Sequence, residues 1–120
     1  MPGYIDGFII PLKKSKLATY RRIAKKAGSI WREHGALDYK ECIGDDLDIA
    51  KVTSFPKLAK ARKDETVVFS WIRYRSKAHR DKVNAKVMKD PRFAAMMTVG
   101  GCPFDPERMA YGGFTVLVDG

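Results

Sequence analysis

Residues 66–74, Thr-Val-Val-Phe-Ser-Trp-Ile-Arg-Tyr, read as a β-strand with no polar face. Side chains alternate across a strand, so Val67, Phe69 and Trp71 leave on one side and Val68, Ser70, Ile72 and Tyr74 on the other. The first strand, 4–11, repeats the pattern, with Tyr4, Phe8 and Ile10 opposed by Ile5 and Ile9. A last strand at 110–118 sets Phe114, Val116 and Val118 against Thr115 and Leu117. Each sheet face therefore needs an apolar cover.

Two helices are available to supply it. From Lys13 to His34, apolar residues recur at Leu17, Tyr20, Ile23, Ala24, Ala27, Ile30 and Trp31, with Gly35 positioned to stop the helix. Ser76 is a fitting N-cap for a second helix over 77–89, which Asp90-Pro91 ends. A further strand is expected at 36–43, a short helical piece at 92–98, and an irregular excursion over 44–64 with one turn of helix at 56–61. The order β-α-β-β-α-β predicts an α+β, ferredoxin-like antiparallel sheet of strand order 4-1-3-2, with both helices on one face. That leaves the other face bare. The economical cover is a second copy of the sheet, so the chain is expected to be a homodimer with twofold symmetry, two sheets forming a dimeric α+β barrel.

A chain of 120 residues is expected to form a single domain spanning 1–120. Its N-terminus lacks a basic, cleavable leader and no apolar run is long enough to span a bilayer, so a cytoplasmic protein without membrane contact is expected. Cys42 and Cys102 lie far apart, with no Cys/His cluster, and there is no P-loop or dinucleotide fingerprint, so neither metal nor cofactor is expected. The net charge of +9 collects on the two helices. Arg21, Arg22, Lys25, Lys26, Lys82 and Lys86 are thus candidates for nonspecific phosphate contact with RNA.

Several separate runs resemble a known family: Asp6-Gly7-Phe8, Gly35-Ala36-Leu37 with Glu41-Cys42, Val67–Ile72, Asp90-Pro91-Arg92, Pro103-Phe104-Asp105 and Tyr111–Phe114. In that order they are similar to the small bacterial YbaA-like family of unknown function. The resemblance covers nearly the whole chain. It implies the dimeric α+β barrel that the two-sided strands also call for, and no established reaction. Ile43 stands where the family pattern has Trp, and Cys102 where it has Met.

Among chemistry-bearing residues, Asp6 interrupts an apolar strand. It is either a ligand-facing base or half of an ion pair with Arg73 or Lys40 on a neighbouring strand. Glu41 shares a face with Leu37 and Tyr39 and is positioned to face a cavity, whereas Cys42 points away as a small hydrophobe. His34 suits the negative end of the first helix, and His79 lies near the start of the second. In 100–114, Gly-Gly-Cys-Pro-Phe-Asp-Pro-Glu-Arg-Met-Ala-Tyr-Gly-Gly-Phe, Phe104 is expected to anchor the loop, Asp105 and Arg108 to clip it, and Tyr111 to outrank Cys102 as a site residue. The leading expectation is a small-molecule binder, or a cofactor-free enzyme, with a pocket at Asp6, Glu41, Trp71 and Tyr111. The alternative is RNA binding through the basic helix faces, without catalysis.

Overall fold

The computed structural model describes residues 3–98 and 101–120, so Gly100 of the loop above lies outside the described residues. Strand β1 (Tyr4–Lys13) leads through a 3-10 turn into helix α1 (Leu17–Glu33). Strand β2 (Asp38–Ile43), a short helix α2 (Phe55–Leu58) and strand β3 (Glu65–Tyr74) follow. Helices α3 (Lys77–Met88) and α4 (Pro91–Thr98) and strand β4 (Ala110–Thr115) complete the order. The antiparallel sheet runs β2-β3-β1-β4, as the pattern predicts.

Local chemistry sets the ends of these elements. Gly35, at φ 118°, takes the left-handed conformation that closes α1, with Gly35 N–H on Arg32 O and Ala36 N–H on Trp31 O. The Ser76 hydroxyl accepts from the His79 N–H and caps α3. β1 runs past Pro11, where the strand expected from sequence stops. β4 pairs only as far as Ile9, so at Pro11 one side of β1 has no ladder to lose. β4 ends at Thr115 rather than 118 because its partner begins at Tyr4; one bond, Val116 N–H to Gly3 O, continues beyond.

The faces separate by register. Asp6 lies opposite Ile72 and Gly113, Phe8 opposite Ser70 and Tyr111, and Ile10 opposite Val68. Helices α1 and α3 cover this face. Ile30, Ile72, Tyr74, Val83 and Val87 form one core cluster, and Ile10, Leu12, Tyr20, Ala24 and Val68 form another. The opposite face exposes Phe69 and Phe114, and the short α2 reaches it through Phe55, edge-on to Phe69 at 6.2 Å. The four strands are thus apolar on both sides and roofed on one.

The segment 101–109 is pinned as expected by Phe104, edge-on to Tyr20 at 5.9 Å. Its ionic clip is a different one. Asp105 caps a turn by accepting from the Glu107 N–H, while Arg108 forks onto Glu65 at the start of β3, with Nη1 to Oε2 2.7 Å and Nη2 to Oε1 2.8 Å. A fork onto a buried carboxylate outcompetes a neighbour exposed to water. Hydrogen bonds from Arg108, together with the Arg62 N–H, hold the Glu65 carboxyl down to about 2 from an ordinary 4.5. A carboxylate with a depressed pKa contributes stability above its unfolded value and loses it as pH falls toward its folded value. Arg108→Gln should therefore lower the urea midpoint at pH 7. The gap from the parent protein should close as pH falls from about 4.5 toward 2, as read by urea titrations across that range.

Candidate functional site

Two carboxylates lie on the roofed face, and they are treated differently. Asp6 is only 1% exposed. Arg80 reaches down from α3 and places Nη1 2.7 Å from its Oδ1, and the same nitrogen donates to the Tyr111 hydroxyl at 2.9 Å. Tyr111 donates in turn to Asp6 Oδ2 at 3.2 Å, with its ring stacked on Phe8 at 4.9 Å. The Arg80 guanidinium also lies 5.1 Å from the centre of the Tyr4 ring. Burial pushes the Asp6 carboxyl above its ordinary range, and the Arg80 charge is the largest influence pulling it back. The neighbouring-strand partners expected from sequence are not used. Arg73 binds Asp119 and Lys40 binds Asp38, because both leave from the opposite face.

Glu41, on β2, sits opposite Ser70. Tyr20 of α1 donates to its Oε1 at 2.7 Å, and Tyr39, two residues earlier on the same strand face, donates to Oε2 at 2.6 Å. Burial, and then the Glu41 charge, push both phenols well above their ordinary value, so they remain protonated donors. Gly28 makes the arrangement possible, since a Cβ there would approach the Tyr39 ring to 2.9 Å. Among the described residues no Lys, Arg or His lies within ion-pair distance of Glu41.

Between sheet and helices lies a cavity of about 390 Å³. Asp6, Tyr111 and Glu41 all contribute to its wall, with Trp31, Phe93 and Phe104 among the aromatic lining and Met88, Met96, Met97 and Met109 among the flexible lining. Asn84 accepts from Trp31 Nε1 at 3.1 Å and from the Tyr74 hydroxyl at 3.2 Å, locking two rings of this layer. Cys102 lines the same cavity as a free thiol.

Of the four residues expected to form a pocket, three converge and Trp71 does not. Trp71 pairs in register with Gly7 and Lys40 on the open face, where Lys40 Nζ lies 5.8 Å from its ring centre. Cys42 is exposed on that side too. His34 bonds Asp90 at 2.8 Å, and His79 Nδ1 accepts the Arg75 N–H, so both have structural partners. Arg21, Arg22, Lys25, Lys26, Lys82 and Lys86 are all exposed, whereas Arg80 from the same basic stretch turns inward. Among the described residues no three His, Cys, Asp or Glu side chains gather as a metal site would need, and no helix is long and apolar enough to cross a membrane.

Arg80, Tyr20, Tyr39 and Asn84 are site residues that the sequence reading did not single out. A signal for Arg80 was present: Val83 and Val87 follow it at +3 and +7, which places a cation on the buried stripe of α3. Tyr20 likewise lies within the apolar stripe of α1.

Residues 3–106 match the family described as "Protein of unknown function (DUF1428)". The chain is 45% identical over 117 residues to the uncharacterized protein YbaA of Escherichia coli strain K12, covering 97% of each chain. The same figures hold for YbaA of Shigella flexneri. Among solved structures it is similar to a dimeric ferredoxin-like protein from an uncultured marine organism, with TM-score 0.57, 10% identity and 99% of each chain covered. At that identity the likeness bears on the fold alone, and the fold is ferredoxin-like.

The contrast between the two acids is measurable as stability. Asp6→Asn leaves the Arg80 guanidinium with only the exposed Asp81, 2.8 Å from its Nε, as counter-charge, and should cost about 3 kcal/mol, the low end for breaking a buried pair. Glu41→Gln keeps an acceptor for a phenol and strands no cation, so it should cost about 1 kcal/mol or less. Urea unfolding of both variants at neutral pH checks the difference.

Proposed function

As the chain belongs to the DUF1428 family of proteins of unknown function, we propose, from its geometry, a homodimeric small-molecule-binding protein whose ligand occupies the cavity between sheet and helices. The observation that carries this reading is the cavity itself. Its volume of about 390 Å³ falls in the range of ligand sites. Aromatic and methionine walls supply apolar burial, and a few convergent polar groups, held at fixed distances by Tyr20, Tyr39 and Arg80, supply orientation. Methionines adapt their shape to whatever fills the space.

The homodimer reading is supported by the open sheet face. Phe69 and Phe114 are exposed there, with Trp71 between Lys40 and Gly7 in register, and the solved protein of similar fold is dimeric. The charges on that face are occupied: Arg73 holds Asp119, and Lys40 holds Asp38 and lies over Trp71. A second copy of the same face matches it in chemistry, as a twofold interface requires.

N-phenyl-1-naphthylamine, a neutral apolar dye that brightens when buried, tests the cavity. Fluorescence should rise saturably with the parent protein and fall at least tenfold in affinity with Ala24→Phe, which fills the space, provided circular dichroism shows that variant folded. No saturable rise with the parent protein would sink the reading. Sedimentation equilibrium at micromolar concentration should give twice the chain mass, and Phe69→Lys should shift it to the monomer while leaving dye binding in place. A monomeric parent protein would refute the dimer.

A further inference from the structure

We infer that the cavity selects a ligand bearing a protonated amine, seated on Glu41, with its apolar body among Trp31, Phe93 and Phe104; this rests on the cavity reading above. The charged side chains in the wall are Asp6 and Glu41, and neither Lys, Arg nor His contributes to it among the described residues. Asp6 is paired from behind with Arg80 at 2.7 Å, and the Arg80 Nε also holds the solvent-exposed Asp81 at 2.8 Å. Glu41 is held only by two neutral phenols, at 2.7 and 2.6 Å. The wall therefore keeps one carboxylate, Glu41, with no cation among its partners in the described residues, inside a protein whose net charge is +9. Cations were within the sequence's reach: Arg21, Lys25 and Arg32 line a groove on the other side of Tyr20, Tyr39 and Glu41, yet none closes on the carboxylate.

The remaining valences of Glu41 point the same way. Each oxygen accepts one phenol hydrogen and retains a lone pair, so the group it still needs is a donor. A carboxylate, phosphate or sulfonate would meet repulsion there, and a half-buried charge without a counter-ion is costly until a cation arrives. The ring faces nearby add to the preference, because an aromatic quadrupole attracts a cation. Tyr39 lies 6.3 Å from Trp31, Phe93 lies 5.2 Å from Trp31, and Phe104 lies 5.9 Å from Tyr20, so aromatic surface continues from the carboxylate into the cavity.

Three compounds with one aromatic body and different heads separate the cases: 2-phenylethylamine, 2-phenylethanol and 3-phenylpropanoate, each used to displace N-phenyl-1-naphthylamine at neutral pH. The amine should displace the dye at a concentration at least tenfold below the alcohol, and the carboxylate should not displace it. Glu41→Gln should erase the gap between amine and alcohol while holding the alcohol within about twofold. The comparison on the parent protein stands even if that variant fails to fold. Equal displacement by amine and alcohol, a preference for the carboxylate, a gap that survives Glu41→Gln, or no displacement by any of the three would overturn the inference and leave the dye-binding cavity intact. An absence of dye signal removes the cavity reading, and the inference with it.

Discussion

The rest of the molecule is arranged around the burial of Asp6. A carboxylate at the middle of β1, nearly closed to solvent, would be untenable without a cation and hydrogen-bond donors. Arg80 and Tyr111 supply them, and in doing so tie β1 to α3 and β4. The support extends a step further. Gly113 faces Asp6 across the ladder, and a Cβ there would fall on the Tyr4 ring. The missing side chain lets Tyr4 lie flat beneath Arg80, which keeps the guanidinium aimed at Asp6. The same Tyr111 that completes the ion pair stacks on Phe8 and walls one end of the cavity. One charge pair thus positions a helix, a strand and an end of the site.

Glu41 shows what a carboxylate does when it is oriented without being neutralised. Two neutral phenols fix its direction, one on each oxygen, but they leave its field in the cavity. Tyr20 and Tyr39 can do this because burial holds them protonated, and because Gly28 lets Tyr39 press against α1. On this face, then, one acid is committed to holding the fold and the other is kept available. The difference lies in the partners and in the strand that carries each, since Asp6 is on inner β1 and Glu41 on edge strand β2.

How far this was legible in the sequence follows from what alternation can and cannot specify. Period-two patterning sorts residues within a strand, so the two apolar faces and the shared face of Tyr39 and Glu41 could be read directly, while the strand order followed from the succession of elements. It does not say which face of one strand joins which face of the next, because that depends on register. Alternation alone therefore does not separate Trp71 from Asp6, although Gly7 is its true neighbour, nor Arg73 from Asp6, although Arg73 leaves from the other side. The ion pair itself spans 74 positions, from strand to helix, and no local pattern joins its ends. What could have pointed to it was the misplaced charge on the α3 stripe, since Arg80 sits in line with Val83 and Val87.

Register also determines how the proposed ligand binding and self-association would coexist in one sheet. Successive residues of β3 serve opposite sides: Ser70 and Ile72 line the cavity, while Phe69 and Trp71 face outward. A slip of one residue would exchange the two sets, and the long antiparallel pairing from Tyr4–Tyr74 to Lys13–Glu65 forbids it. A second copy on the open face would therefore brace the floor of the cavity through the backbone without placing a side chain inside it. Access to the ligand would remain with the roof, where α4 and residues 101–104 close over the aromatic wall. The proposed binding and association would thus act on the same strands from opposite sides, so a substitution on one face would alter one of them without entering the other.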